Sequence, residues 1–362
     1  MQENFTTEEN KEISAEFIKC ENCGANMVFN PETQTLYCES CSSTKDFEKD
    51  RQVQELAIAE AFAKDEIYDN ESAVYSCENC GANVVVNADE VSSKCPFCDT
   101  PFVVKNSNLR GIKPNAIFPF TIGKEKALHL AKANIKKRLF CPSKFKKSLT
   151  EESVKGMYVP CFTFDSNTIS VYNGRVGETR TRTVRTRNGT RTETYVVWKN
   201  ISGTIGKAFD DITVATSSIL SQKALNKLMP FDYNTIAVYD KSYLSGFFAN
   251  HYEKDVKTSW EEAKEQMSAI IRRSILSQYN CDKVDYLNVS TTYNETTYKY
   301  ILMPVYYISY KYKKKLYTMY INGNTGKVYG KMPVSPWRVL IATILGVGAV
   351  ALLGWLIYTN LL

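Results

Sequence analysis

Eight of the eleven cysteines fall into one spacing used twice, Cys20-x2-Cys23-x14-Cys38-x2-Cys41 and Cys77-x2-Cys80-x14-Cys95-x2-Cys98. Two thiolates separated by two residues can aim at one soft cation, and two such pairs close a tetrahedron around zinc with metal–sulfur bonds of ~2.3 Å. The septet Cys-Glu-Asn-Cys-Gly-Ala-Asn opens both copies without change. Gly24 and Gly81 directly after each first pair supply the positive φ that such a knuckle turns on. The central spacing is one residue short of the usual window of ~15–20, but it recurs. The expectation is two structural zinc ions, one on Cys20, Cys23, Cys38 and Cys41 and one on Cys77, Cys80, Cys95 and Cys98.

Other uses of these thiols fit less well. Disulfides need an oxidising compartment, and the N-terminal segment has no charged and then apolar signal region. A redox Cys-x-x-Cys belongs at a helix start beside a βαβ unit, which these pairs lack. Catalytic zinc keeps one position open, whereas four cysteines close it. A ribbon of about 22 residues has almost no core of its own, so a metal-binding free energy of about 10–16 kcal/mol becomes its folding free energy. Cys141, Cys161 and Cys281 stand alone and read as small buried apolar residues.

At the other end of the chain, Val339 to Tyr358 carries no charge. At about 1.5 Å per residue these residues span ~30 Å, the hydrocarbon thickness of a bilayer. Trp337 stands at one edge and Trp355 with Tyr358 at the other, where amphipathic rings favour the interface. Lys311, Lys313, Lys314, Lys315, Lys327, Lys331 and Arg338 precede the span, which by the positive-inside rule predicts a single-pass tail anchor in the cell membrane with the N-terminus and bulk of the chain cytoplasmic. Ala342 and Gly346, four apart, would let a partner transmembrane helix approach.

Charge divides the chain near residue 100. Residues 1–100 hold 21 Asp and Glu against 7 Lys and Arg, while the remainder is strongly basic and the whole chain is +6. The cysteine segments are themselves acidic: 20–41 contain Glu21, Glu32 and Glu39 with no cation, and 77–98 contain Glu78, Asp89 and Glu90 against Lys94. Phosphate would be repelled, so these ribbons suit a protein surface better than a nucleic acid. Between them, Val53, Leu56, Ala57, Ile58 and Ala61 recur at helical intervals and predict a spacer helix over Lys45–Tyr68.

These boundaries give a polar tail at 1–16, a first zinc ribbon at 17–44, the helical spacer at 45–70, a second ribbon at 71–104, an α+β domain at 105–335 and the membrane anchor at 336–362. Within the α+β domain, helices are expected over Lys124–Phe140, around Ser221–Leu228 and over Val256–Gln278. Strands are expected at Tyr158–Phe164, Thr168–Tyr172, Thr194–Trp198, Thr235–Tyr239, Thr297–Lys311 and Leu316–Ile321, with a turn at 322–326. Hairpins outnumber βαβ alternation, so the fold class is α+β with a mainly antiparallel sheet behind two zinc ribbons and ahead of one transmembrane helix.

Two basic features lie in this domain. Arg180, Arg182, Arg185, Arg187 and Arg191 alternate largely with threonine around Asn188-Gly189, the strongest two-residue hairpin signal. Such a ribbon can be a solvated edge, a contact for lipid or an acidic partner, or a reader of a DNA groove. Lys311 with Lys313-Lys314-Lys315 forms a hairpin bend that can meet anionic headgroups or simply face water. Enzyme signatures are sparse. There are two histidines, His129 and His251, and the four Gly-Lys pairs are never followed by Ser or Thr, so no phosphate loop is completed. The chain reads as a non-enzyme.

The duplicated Cys-x2-Cys-Gly-Ala-Asn segments, Tyr158-Val159-Pro160, Pro230-Phe231-Asp232-Tyr233, Tyr243-Leu244-Ser245-Gly246-Phe247, Met303-Pro304-Val305-Tyr306 and Ile321 to Gly330, followed by a terminal apolar helix, resemble the bacterial YdjG-type double zinc-ribbon, tail-anchored membrane proteins. Relatives often carry the labels TFIIB-type zinc ribbon or primosomal protein N′-like, which fit only the cysteine segments. The resemblance implies a membrane adaptor that docks a cytoplasmic protein, phage-shock-protein-A-like or SPFH, in a membrane-stress system. The alternative reading is a membrane-tethered nucleic-acid binder that uses the Arg180–Arg191 hairpin.

Overall fold

The computed structural model describes residues 18–25, 27–61, 72–76, 82–87, 92–94, 101–103, 112, 114–142, 145, 149–150, 153–186, 189–250, 252–312 and 315–361. In chain order the strands are β1 (Met27–Asn30), β2 (Thr35–Cys38), β3 (Thr44–Lys45), β4 (Leu56–Ala57), β5 (Ser72–Ser76), β6 (Asn83–Asn87), β7 (Ser92–Lys94), β8 (Pro101–Val103), β9 (Ala116–Ile117), β10 (Val154–Thr186), β11 (Gly189–Ala215), β12 (Ala237–Val238), β13 (Phe248–Asn250), β14 (Lys283–Tyr312), β15 (Lys315–Asn322) and β16 (Val328–Gly330). The α-helices are α1 (Ile58–Ala61), α2 (Lys124–Lys136), α3 (Gln222–Leu228), α4 (Val256–Leu276) and α5 (Pro336–Leu361).

Three long strands organise the molecule. β10 runs for 33 residues with β11 antiparallel on one side and β14 antiparallel on the other. Side chains alternate across a strand, so β10 presents Phe162, Phe164 and Tyr172 to one face and Met157, Val159 and Cys161 to the other. The first face is covered by α4 through Trp260, Ala263, Met267, Ile271 and Ile275. Asp255 starts that helix, its carboxylate accepting the Thr258 N–H at 2.7 Å. The second face is covered by Ala224, Leu225 and Leu228 of α3 with Phe118 and Phe231. The fold is α+β with mostly antiparallel strands, a cysteine cluster near the N-terminus and one apolar helix near the C-terminus.

The strands are longer than their apolar patterns predict. Instead of breaking between Phe164 and Thr168, β10 continues through a bulge at Asp165, where the register to β11 shifts between Phe164 and Ser166. A bulge inserts a residue without ending the ladder, so the polar Asp165-Ser166-Asn167 interruption marks an irregularity and not a turn. β14 stops opposite Gly177, leaving residues 178–186 and 189–197 paired as a two-stranded ribbon, with Gly189 at φ +124°.

Two helix expectations are corrected. Lys45–Tyr68 is not one helix: residues 46–55 have no helical turn, Leu56 and Ala57 pair with β14 as a strand, and only Ile58–Ala61 is helical among the described residues. Contacts with the body decide this path: Asp50 O accepts the Val238 N–H at 2.8 Å, Gln54 O accepts Asn115 Nδ2 at 2.8 Å, and Val53 packs beside the α3 core. The segment is a strap across the body. The helix expected over Lys124–Phe140 ends at Lys136, because the carbonyls of 139 to 141 are taken by partners on α5 and its approach.

The turn at 322–326 is a clip. Buried Asn322 donates from Nδ2 to Leu228 O and accepts from the Asn324 and Thr325 N–H groups, while Asn324 Oδ1 accepts the Asp232 N–H. Gly326 takes φ +77°, which lets the turn close.

Candidate metal centre

The first cysteine knuckle is built by its own backbone. Gly24 N–H donates to Cys20 O and Cys20 N–H to Ala25 O, with Gly24 at φ +74°. A second tight turn brings Ser42 N–H to Cys38 O. β1 and β2 pair from Met27↔Cys38 to Asn30↔Thr35, which holds the two knuckles side by side. The result places Sγ of Cys20, Cys23, Cys38 and Cys41 all within 4.8 Å of one another, with Cys20–Cys41 and Cys23–Cys38 both at 3.5 Å. A tetrahedron with ~2.3 Å metal–sulfur bonds has edges of ~3.8 Å, so these four residues could hold a metal ion.

The local electrostatics favour anionic sulfur at two positions. Backbone N–H groups of Cys23 and Asn22 lower the Cys20 thiol, and the Ser43 hydroxyl at 3.0 Å holds Cys41 down to about 6. Cys23 accepts the Ala25 N–H, but the neighbouring sulfurs of Cys41 and Cys38 push its thiol up to about 12. Four thiols this close cannot all ionise without a cation among them.

This ribbon leans on the body. Met27, Phe29, Leu36, Cys20 and Cys38 are buried in the same core as α4, and Phe29 meets Tyr243 and Phe47 edge-on at 5.2 and 6.2 Å. Phe29 N–H donates to Ser245 O, Gln34 Nε2 to Phe120 O, and Gly246 at φ +84° lies against Val28. Glu21, Glu32 and Glu39 remain exposed.

Cys77, Cys80, Cys95 and Cys98 lie outside the described residues. Their flanking strands repeat the first ribbon: Leu36↔Lys45 and Tyr37↔Thr44 in β2/β3 recur as Ser93↔Phe102 and Lys94↔Pro101 in β7/β8, at the same offset from each repeat's first cysteine. β5 and β6 flank Cys77 and Cys80 as an antiparallel pair, and β6 joins the main sheet through Ala249↔Val85 and Asn250↔Val84.

One constellation escapes sequence reasoning. Lys299 Nζ lies 2.9 Å from Glu55, 3.0 Å from Asp165 and 2.9 Å from Asp211, with its side chain 8% exposed. Burial raises the Asp165 and Asp211 carboxyls despite the ammonium, whereas Glu55, held by the Thr297 hydroxyl, is lowered. Asp210 joins Asp165 and Asp211 as a carboxylate cluster. Lys299 sits among the carboxylates and serves as their cation. The signals in the sequence were slight: Asp165 and the Asp210-Asp211 pair each interrupt an otherwise apolar stretch, at what prove to be a bulge and a positive-φ residue of the facing strand.

The remaining singled-out residues fall apart spatially. His129 is exposed on α2 and His251 lies outside the described residues. Cys161 is fully buried and desolvation raises its thiol; Cys141 is buried too, while Cys281 is half-buried. In the Arg ribbon, Arg180 and Arg182 are already paired with Glu178 at 2.9 Å and Glu193 at 3.2 Å, and Arg182 also covers Tyr195. Arg187, Lys313 and Lys314 lie outside the described residues.

A four-cysteine cluster that could hold a metal ion, on a mostly antiparallel α+β body with, among the described residues, one helix long and apolar enough to cross a membrane, defines the class of this protein. The chain belongs to the family of the uncharacterized protein YdjG of Bacillus subtilis (strain 168), to which it is 30% identical over 329 residues, covering 89% of this chain and 91% of the relative. No protein-family profile matches the chain, and no solved structure matches it.

Proposed function

We propose that this protein is a non-enzymatic membrane adaptor with two structural zinc ions. Zinc would be held by Cys20, Cys23, Cys38 and Cys41 and by Cys77, Cys80, Cys95 and Cys98, closing both sites to substrate. The repeated strand register around the second set supports the second site. Helix α5 would span the cell membrane once, with the N-terminus and body cytoplasmic, as the lysines before it favour. The acidic ribbon surfaces would dock a cytoplasmic protein. Family resemblance suggests a phage-shock-protein-A-like or SPFH partner in a membrane-stress system.

The observation that carries this reading is the joining of a four-cysteine cluster, packed on the core of the body, to a helix whose apolar stretch from Pro336 to Trp355 is not buried by the body. A crosslinked pull-down of the full chain beside the Cys20→Ser, Cys23→Ser variant and the Cys77→Ser, Cys80→Ser variant tests it. One protein should be retrieved by the wild type and lost from at least one variant. Identical protein sets from all three contradict the adaptor.

The rival reading, a nucleic-acid-binding ribbon at Arg180–Arg191, rests on its two-stranded geometry. Affinity for DNA or RNA would then fall by orders of magnitude between ~50 and ~200 mM salt if six or more phosphates are neutralised.

A further inference from the structure

From the last residue of α2 the chain reads Lys136-Lys137-Arg138-Leu139-Phe140, and all five residues are exposed before the chain turns inward at buried Cys141. Leu139 is 77% and Phe140 40% exposed, a poor arrangement for water. The loop is bonded to the start of α5. Ser335 N–H donates to Phe140 O at 2.8 Å, and Arg338 Nη1 donates to Leu139 O at 3.0 Å and Cys141 O at 2.7 Å. Exposed Val334 and Trp337 stand in the same stretch of α5 and its approach. Four large apolar side chains and three cations therefore collect where the apolar helix leaves the body.

We propose that this collar is a second membrane contact, a seat for anionic phospholipid that fixes the body on the bilayer surface. The inference rests on the reading of α5 as a membrane span. Because Phe140 is bonded to the residue preceding Pro336, the loop lies within the first turn of the helix and so at the depth where the helix enters the lipid. Leu139, Phe140 and Trp337 meet the interface, where partly apolar groups are stable, and Lys136, Lys137 and Arg138 meet the phosphates. Arg338 keeps a different task, satisfying carbonyls that would otherwise face the interface bare. The body is thereby seated in one orientation and does not swing on a tether.

The test uses the full chain with photoreactive benzoylphenylalanine in place of Leu139, in vesicles of phosphatidylethanolamine and phosphatidylglycerol and in vesicles of phosphatidylcholine alone. Illumination should give lipid adducts, more in the anionic vesicles. Each of Lys136→Glu, Lys137→Glu and Arg138→Glu should lower the yield by at least the about fivefold that corresponds to ~1 kcal/mol per cation at an anionic surface. Alkaline carbonate extraction runs in parallel. A chain that stays embedded but forms no lipid adduct overturns the seat alone, and equal yields in both vesicles overturn its headgroup preference. Release of the chain by carbonate overturns the span and the seat together.

Discussion

From Met157 to Phe164, β10 is buried on both faces; from Arg180 to Arg185, every described side chain on the same strand is exposed or half-buried. Between them, over Ser166 to Val176, buried and exposed positions alternate or nearly so, with α4 covering one side. One strand thus passes through three environments, and its sequence changes with each: an apolar run, an alternation, and then Thr-Arg repeats. Backbone pairing with one or both neighbouring strands runs through all three, interrupted only by register shifts such as the bulge at Asp165. Hydrogen bonding therefore sets the shape of the strand, and burial sets where its stability resides.

The sharpest way to break that contrast is at the base. Phe162 is fully buried with ring contacts to Tyr300, Tyr252, Tyr298 and Phe164. Phe162→Ala should cost about 3–5 kcal/mol in denaturant unfolding, through lost transfer energy and the cavity left behind. A loss below about 1 kcal/mol would mean that this end of the sheet is not the core.

Lys299→Met should cost a similar ~3–5 kcal/mol at neutral pH, because half-buried Asp165 and Asp211 lose the buried cation between them. The sign of its pH dependence follows from the raised carboxyls. A folded-state pKa above the unfolded value means that the native state binds the proton more readily, so their contribution to stability falls as pH rises through the folded pKa and recovers as pH drops toward the ordinary carboxylate range. Without the ammonium the carboxyls rise further, and the deficit of the variant should shrink on acidification. A deficit that stays constant from neutral pH to the carboxylate range contradicts the network.

Cys38→Ser should remove one metal and loosen more than the ribbon, since Phe29 packs on Tyr243 and its N–H bonds Ser245. Hydrogen exchange should quicken at 243–247 as well as at 27–38, while α4 stays protected. At the far end of the scale, Arg180→Ser with Arg182→Ser should leave the denaturant midpoint essentially unchanged, because both ion pairs lie at the solvated surface.

The legible parts of this molecule were local. The first set of Cys-x2-Cys pairs, the stripe of α4 and the apolar α5 each declare themselves within a short window of sequence, and so does the Thr-Arg hairpin, although the Thr186↔Gly189 pairing puts Gly189 in the strand and Asn188 lies outside the described residues. What escaped was long-range. Glu55 and Lys299 are 244 positions apart, and nothing near either one announces the other. The strap at 46–57 has helical spacing, yet its backbone groups are taken by β14, Asn115 and Val238, so tertiary pairing overrides the pattern. Leu139 and Phe140 read as the end of a helix, but their carbonyls are claimed by Arg338 in the first turn of α5 and by Ser335 just before it.

The claim on which the account rests is that both cysteine sets hold structural zinc. Elemental analysis of the full chain, purified in detergent without chelator or added metal, measures it directly. The account predicts about two zinc per chain, falling to about one in the Cys38→Ser and Cys95→Ser variants taken singly. Protein that is folded and metal-free, or that carries iron in place of zinc, would contradict it.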